Sequence, residues 1–201
     1  GKKIRSSGAH VDPEKDEIYV GDEKINYSKY VYYMLNKPDG YVSATEDNVY
    51  PTVIDLIKEY HPGLFPVGRL DVDTEGLLLI TNDGQLAHRL LSPRTHVPKT
   101  YYVKVKGRLG IGDVNAFTKG IPLEDFTCMP SYLNIIKSDE VSECEVTIYE
   151  GKFHQVKRMF QACGKEVVYL KRISMGELKL DENLKLGHYR PLTDKEINSI
   201  L

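Results

Sequence analysis

The chain has 201 residues, of which 41% are hydrophobic and 28% are charged, so it can bury a core and is not disordered throughout. Its 27 Lys and Arg against 29 Asp and Glu give a net charge of −2, which excludes a histone-like polycation but allows a local basic face. The three cysteines are far apart and form no CxxC pair, which argues against a disulfide framework or zinc ribbon and favours a reducing, cytoplasmic setting. No apolar run is long enough to span a membrane, so no membrane partner is expected.

The first 28 residues are predicted to form short strands and turns, with strands at 2–5 and 17–20 and a polar linker at 26–29. This segment is too short to bury a core by itself. Two interpretations remain open for it. It is either the closing part of a small domain whose beginning lies outside this sequence, or an irregular arm packed on the main domain.

Residues 29–201 contain mixed strands and helices. Strands are predicted at 30–36, 41–45, 77–81, 101–106, 143–150 and 167–172. Helices are predicted after Thr52, over 85–91, 113–119 and 153–163, and after Thr193, where Thr193-x-x-Glu196 has the spacing of a capping box. Because strands and helices do not alternate in a regular βαβ order, we predict an α+β fold with a mixed, largely antiparallel sheet flanked by helices.

The densest polar cluster is the segment 68–76, GRLDVDTEG, which immediately precedes an apolar strand. A calcium loop, a solvated acidic turn, and a catalytic carboxylate are all compatible with it. The calcium interpretation is weak because the twelfth loop position is Asn82 rather than a bidentate Glu. A nucleophilic carboxylate must stay ionised beside its acidic neighbours, so it needs a cation nearby, and Arg69 is one candidate.

A second cation could come from the segment 150–160, EGKFHQVKRMF. Phe153, Val156 and Phe160 recur at helical spacing and predict a helix with one buried face. Lys157 and Arg158 then lie early in that helix, where cations interact unfavourably with the helix dipole. Such local conflicts are more common at functional sites, although ordinary surface charges would give the same pattern.

Basic and aromatic residues interleave from His88 to Arg108, and a second basic group follows at 165–172. This mixture suits phosphate contacts and base stacking, but a charged strand face looks the same. Strand alternation places Tyr101 on the inward face. It is therefore a core tyrosine unless the active site lies there.

Motifs of several other enzyme classes do not occur in the sequence. There is no GxxxxGK[ST] loop, no GxGxxG after a strand, no HExxH and no GxSxG. The six histidines have no metal-ligand spacing. No cofactor and no metal are expected.

Several motifs follow one another between Tyr30 and the C-terminus. They are LNKPDGYV at 35–42, GRLDVDTEGLL at 68–78, SPR at 92–94, KTY at 99–101, GKFHQVKRMF at 151–160 and GHYRPLT at 187–193. In this order they resemble the pseudouridine synthase family, most closely its ribosomal small-subunit pseudouridine synthase A branch. The joint match is far more specific than the four residues GRLD alone.

The resemblance implies an isomerase with the pseudouridine synthase fold, which breaks the N1–C1′ bond of a uridine in small-subunit ribosomal RNA, turns the base and joins it through C5. Asp71 matches the aspartate that attacks the nucleoside. Tyr101 matches the tyrosine that stacks on the target base and helps to remove the C5 proton. Lys157 matches the basic residue paired with the aspartate. No cofactor or metal is implied.

The resemblance also implies RNA contacts and a domain division. Arg69 would hold the flipped nucleotide or its phosphate. The other expected RNA-binding residues are Lys37, Arg94, Lys99, Arg158 and Arg172. Members of this branch begin with a small α-L RNA-binding domain, of which residues 1–28 resemble only the closing strands and linker. Residues 29–201 would be the catalytic domain.

The expected partner is ribosomal RNA within a small-subunit assembly intermediate, bound by a monomeric enzyme. Three alternatives stay open. Sister branches with the same motifs act on large-subunit ribosomal RNA. A non-catalytic RNA-binding assembly factor on this scaffold would not need Asp71. A glycoside hydrolase using Asp71 and Asp73 would leave the basic residues unexplained.

Overall fold

The computed structural model describes residues 3–4, 8–12, 15–25 and 29–201. In this part of the chain the strands are β1 (Ile18–Val20), β2 (Glu23–Ile25), β3 (Tyr32–Lys37), β4 (Phe65–Pro66), β5 (Glu75–Thr81), β6 (Lys99–Lys106), β7 (Tyr132–Lys137), β8 (Val141–Ile148), β9 (Glu166–Met175), β10 (Leu178–Lys179) and β11 (Tyr189–Pro191). The α-helices are α1 (Gly84–Leu91), α2 (Ile111–Lys119), α3 (Gln155–Ala162) and α4 (Asp194–Ile200). Short 3₁₀ turns cover Val53–Leu56 and Pro93–Thr95.

A nine-stranded sheet organises the fold. Its strand order is β11-β3-β5-β9-β6-β8-β7, with β4 added to β5 and β10 added to β9. The pairs are antiparallel except for β5 with β9, which is parallel. The predicted α+β class with a largely antiparallel sheet is therefore confirmed.

Apolar clusters cover both faces of this sheet. On one face, residues such as Leu78 and Val103 pack with Phe117 of α2 and Phe160 of α3. On the other, Leu77 and its neighbours pack with α1 and α4. Because β5 is buried on both faces, its apolar run is continuous rather than alternating.

The two halves of the sheet meet at a short junction. The parallel pair of β5 and β9 consists of Glu75 with Lys171 and Gly76 with Arg172. Gly76 has φ +104°, and a Cβ at this position would lie 2.2 Å from the carbonyl oxygen of Arg172. A residue without a side chain is therefore required here. This approach fixes the segment after Asp71 against β9.

Most predicted elements are present with shifted ends, but three predictions are wrong. The segment predicted as a strand at 41–45 makes only an isolated bridge between Val42 and Thr52. The helix predicted after Thr52 is a single 3₁₀ turn, because the chain is already extended at Ile57. Phe153 does not belong to the apolar stripe of α3. It precedes the helix and is 76% exposed.

Strand β7 was not predicted from the sequence, because its apolar residues do not alternate clearly. Leu133 is buried but Ile136 is exposed. In the N-terminal region, β1 and β2 form a hairpin that includes most of the strand predicted at 17–20. Residues 2 and 5 of the other predicted strand, and 26–28 of the predicted linker, lie outside the described residues.

Candidate active site

The acidic segment predicted to contain the reactive carboxylate is a tight loop held by the chain around residues 40–43. Ser43 Oγ donates to the carbonyl of Leu70 and accepts from the Leu70 amide, both at 3.1 Å. The Gly40 amide donates to the carbonyl of Val72 at 3.0 Å. The Thr74 amide closes the turn by donating to the carbonyl of Asp71 at 3.0 Å. A loop braced on both sides gives Asp71 a fixed position.

Lys37 lies beneath this loop and is fully buried. Its Nζ donates to the carbonyls of Pro38, Val72 and Thr74 at 3.0, 2.9 and 2.8 Å. Burial lowers the pKa of Lys37 to about 8. The structure does not place Lys37 where it could contact RNA, because all three of its donors bind backbone carbonyls, two of them in the loop.

Asp71 contacts two side chains from the segment around α3. Its Oδ2 lies 3.0 Å from Lys157 Nζ, and its Oδ1 lies 3.3 Å from His154 Nε2. Lys157 Nζ also lies 2.7 Å from Asp73 Oδ1. Burial alone would lower the pKa of Lys157, but its hydrogen bonds to Asp73 and Asp71 outweigh this and raise it. The ammonium is therefore kept charged beside both carboxylates.

The packing of helix α3 and the chain conformation before it direct Lys157 toward Asp71. Val156, Met159 and Phe160 are buried, which leaves Lys157 at the edge of the packed face. The preceding residue, His154, has the left-handed φ of 47°. This reversal lets both His154 and Lys157 reach the same carboxylate.

The chain before α3 is tied down by a buried glutamine. Gln155 Oε1 accepts from the Lys152 amide at 3.0 Å, and Gln155 Nε2 donates to Glu150 Oε1 at 2.8 Å. Glu150 also accepts from the amide of Met129 at 2.7 Å. These bonds fix the turn that leads to His154. They also occupy the carboxylate of Glu150.

Asp71 opens onto a cavity of about 470 Å³ between the loop, β6, β9 and the start of α3. Tyr101 lines it and is only 8% exposed, on the inward face as alternation predicted. Three of the predicted RNA-binding residues line it as well, namely Arg69, Lys99 and Arg172. A cavity of this volume is in the range of small-ligand sites.

Two other predicted RNA-binding residues do not line the cavity within the described chain. Arg94 is exposed in the 3₁₀ turn between the cavity-lining Pro93 and His96. Arg158 forms an ion pair with Asp125 and lies over the ring of Phe126. The cation of Arg158 is therefore already engaged by the protein.

Sequence reasoning missed the contact of His154 with Asp71. The histidine stood out only as part of a motif, and its left-handed backbone is not visible in the sequence. The part of the chain that the structure describes holds no cluster of three or more His, Cys, Asp or Glu side chains arranged for a metal ion.

Comparison with known proteins adds to this geometry. A family model described as RNA pseudouridylate synthase matches residues 31–162. An uncharacterized RNA pseudouridine synthase of Bacillus subtilis, YtzG, is 48% identical over 98% of this chain and 84% of its own. The ribosomal small subunit pseudouridine synthase A of Escherichia coli is 42% identical over 100% of this chain and 87% of its own. The chain belongs to the RNA pseudouridine synthase family.

A solved pseudouridylate synthase has the same fold, with a TM-score of 0.80 at 40% identity over 100% of this chain and 86% of that one. RNA pseudouridine synthases are isomerases that act on RNA, so the predicted enzyme class is confirmed. Over the described residues, no helix has the length and apolarity that crossing a bilayer requires.

Two kinds of charged group line the cavity of this RNA pseudouridine synthase. Asp71 is held beside an ammonium and an imidazole. Lys99 and Arg172 are cations for which no ion pair is formed within the described chain. Such a site can hold a planar polar ligand next to the Asp71 carboxylate.

Proposed function

We propose that this RNA pseudouridine synthase converts a uridine of small-subunit ribosomal RNA to pseudouridine, with Asp71 as the nucleophile. The observation that carries the proposal is the contact of the cavity-lining Asp71 with Lys157, 3.0 Å between Oδ2 and Nζ. A neighbouring ammonium favours the ionised carboxylate that nucleophilic attack requires.

The proposed reaction is a rearrangement in which no atom is gained or lost overall. Asp71 attacks C1′ of the ribose, and the N1–C1′ bond breaks with its electron pair on the uracil. The base turns in the cavity, and C5 attacks C1′ and displaces the carboxylate. The C5 proton then leaves, assisted by Tyr101, and N1 takes up a proton.

The cavity has two tasks in this scheme. It must retain the detached base, and it must exclude the water that would otherwise hydrolyse the bond to Asp71. Tyr101 suits both because it is buried in the cavity wall and offers a flat ring to the base.

Reaching the target requires the uridine to leave its stack, which costs a few kcal/mol. Exposed cations at the rim can offset this cost by binding phosphates. Arg69, exposed at the loop, and Arg94, exposed beside the rim, are the residues proposed for this contact.

The ribosomal target is supported by the similarity to the small-subunit synthase A of Escherichia coli across the whole chain. The proposed substrate is the RNA within a small-subunit assembly intermediate, where the site is still accessible, and the proposed enzyme is a cytoplasmic monomer. Residues 1–28 are proposed to be the closing part of an N-terminal RNA-binding domain, followed by the catalytic domain at 29–201.

The test is release of tritium from RNA labelled at C5 of uracil, offered as small-subunit ribosomal RNA, its precursor particle, or large-subunit ribosomal RNA. We expect release from a small-subunit substrate and a loss of about 10³-fold or more in Asp71→Asn. Asp73→Asn is the matched comparison. It removes the other carboxylate on Lys157, so it should reduce turnover while leaving it measurable.

A second pair of variants tests the role of the cation. Lys157→Met should keep RNA affinity but lose about 10²-fold in kcat, whereas Arg158→Met should lose little because Arg158 is bound to Asp125. Wild-type turnover in Asp71→Asn would remove the aspartate from its role. Release only from large-subunit RNA would reassign the substrate, and no release from any RNA would favour a non-catalytic assembly factor.

A further inference from the structure

The wall of the cavity contains a buried cation, Arg172, whose hydrogen-bonding capacity is only partly used. Arg172 is 2% exposed and lines the cavity. Its Nε donates to the carbonyl of Leu77 at 2.8 Å. Its Nη2 is buried and has no hydrogen-bond partner among the described residues. Buried donors are nearly always satisfied, so an unused one on a residue that lines a cavity points to an acceptor supplied by a ligand.

The charge of Arg172 is also not balanced by a nearby carboxylate. The two carboxylates that line the cavity are Asp71, which contacts Lys157, and Glu150, which accepts from Gln155 and the amide of Met129. Instead, a second cation lies close by. Burial and the charge of Arg172 together lower the pKa of Lys99. Burying unpaired positive charge is costly, so the part of the cavity wall formed by Arg172 and Lys99 is suited to an anionic ligand.

A bulge in β9 puts Arg172 on the cavity face. Thr100 pairs with Ser174, but the next residue, Tyr101, pairs with Arg172, so Ile173 is left unopposed. Residues opposite each other in a ladder share a face of the sheet. Without the bulge, Ile173 would face Tyr101, and Arg172 would point to the other side. The bulge therefore places Arg172 on the same face of the sheet as Tyr101, the residue proposed to stack on the base.

We propose that Arg172, assisted by Lys99, binds a carbonyl oxygen of the target uracil and stabilises the negative charge that the base acquires when N1–C1′ breaks. This inference rests on the proposed function. The electron pair left on N1 is delocalised onto the uracil carbonyl oxygens, and the guanidinium donates hydrogen bonds to one of them. No proton is transferred in this step.

A phosphate of the RNA is the other anion that could bind Arg172 and Lys99. Burial argues against it. The phosphates next to a flipped nucleotide stay at the mouth of a pocket, where the exposed Arg69 lies, whereas the base enters it. Arg172 is almost completely buried and lies opposite Tyr101 in the pairing of β6 with β9. The base is therefore the part of the substrate that reaches it.

The test compares Arg172→Met, Arg172→Lys and Lys99→Met with wild type, using tritium release for kcat and KM and direct RNA binding at several salt concentrations. For Arg172→Met we expect kcat to fall by about 10²–10³-fold, as when one oxyanion donor is removed, with RNA affinity nearly unchanged. Arg172→Lys should recover part of kcat because it restores the charge. Lys99→Met should show a smaller loss of kcat.

An electronic test separates charge stabilisation from a structural role. In RNA that contains 5-fluorouridine, the fluorine withdraws electrons from the base. The negative charge on the departing base is then already stabilised, so cleavage depends less on a cation of the protein. The ratio of wild-type to Arg172→Met rates of N1–C1′ cleavage should therefore be smaller with this RNA than with uridine. A merely structural defect would leave the ratio unchanged. The thermal midpoint of Arg172→Met should stay near that of wild type, because removing an unpaired buried charge offsets the lost packing and the lost hydrogen bond to Leu77.

Several outcomes would overturn the inference. Unchanged kcat in Arg172→Met, beside active wild type, would refute it while leaving the proposed function intact. A second outcome is that Arg172→Met binds RNA more weakly, with the salt dependence of its RNA affinity reduced by the amount expected for about one phosphate contact. That result would assign Arg172 to the RNA backbone. Wild-type enzyme that releases no tritium from any of the RNAs would refute the proposed function and, with it, uracil as the ligand.

Discussion

Two buried cations, Lys37 beneath the Asp71 loop and Arg172 in the wall of the cavity, lie on either side of Gly76 in neighbouring strands. Both are almost completely inaccessible to solvent. Lys37 gives its three donors to backbone carbonyls, whereas Arg172 keeps Nη2 unused. Burial alone therefore does not distinguish a structural cation from a ligand-binding one. The distribution of their hydrogen bonds does.

Of the substitutions that test this comparison, we expect the largest loss of stability at Gly76, which pairs with both Lys37 and Arg172. We expect Gly76→Ala to lower the free energy of unfolding by about 3–5 kcal/mol, because its Cβ would meet the backbone of Arg172 and its φ is positive. Chemical denaturation measures this loss. The control is Gly112→Ala in α2, where a Cβ meets nothing within 4 Å and a helix favours alanine. Equal stability of the two variants would contradict the proposed close packing.

Substituting each cation by methionine compares the roles of Lys37 and Arg172 directly. Lys37→Met should lower the free energy of unfolding by about 2–3 kcal/mol, because it leaves buried carbonyls without donors. Arg172→Met should cost little stability while losing turnover. Lys119→Met, on the exposed surface of α2, is the control for loss of a lysine. If Lys37→Met were as stable as this control, Lys37 would not be bracing the loop.

The smallest effect is a pH dependence specific to Lys37. Its pKa falls from 10.5 to about 8 in the folded protein because of burial. Between these values the unfolded chain binds more protons, so this group adds stability as the pH rises. The difference in unfolding free energy between wild type and Lys37→Met should increase by about 1 kcal/mol from about pH 7 to about pH 9. A constant or shrinking difference would mean that Lys37 is not desolvated.

Local patterns predicted most of the elements but few of the connections between them. The apolar run before Asn82 and the alternation in 101–106 and 143–150 correspond to β5, β6 and β8. The Thr193 capping box opens α4. The segment at 41–45 was mistaken for a strand because its residues favour extended structure. The side chain of Ser43 in this segment instead braces the Asp71 loop, which is a tertiary interaction.

In the candidate site too, local motifs indicated individual residues, whereas the contacts between them depend on the tertiary structure. Asp71, Tyr101 and Lys157 could be singled out from motifs, and the structure brings Asp71 and Lys157 into contact across 86 residues of chain. Lys37 looked like its basic neighbours, although it is buried beneath the loop. His154 could not be assigned, because its reach to Asp71 depends on a left-handed backbone conformation.

The amino-acid sequence by itself determined the fold class, the order of the motifs and the residue types available for chemistry, since these follow from periodicity, turn residues and composition. Only the tertiary structure decided which cations are used by the protein and which remain available to a ligand. That outcome depends on a bulge at Ile173 and on the missing side chain of Gly76. A shift of one residue in a ladder moves a side chain to the opposite face of the sheet, and no local pattern records it.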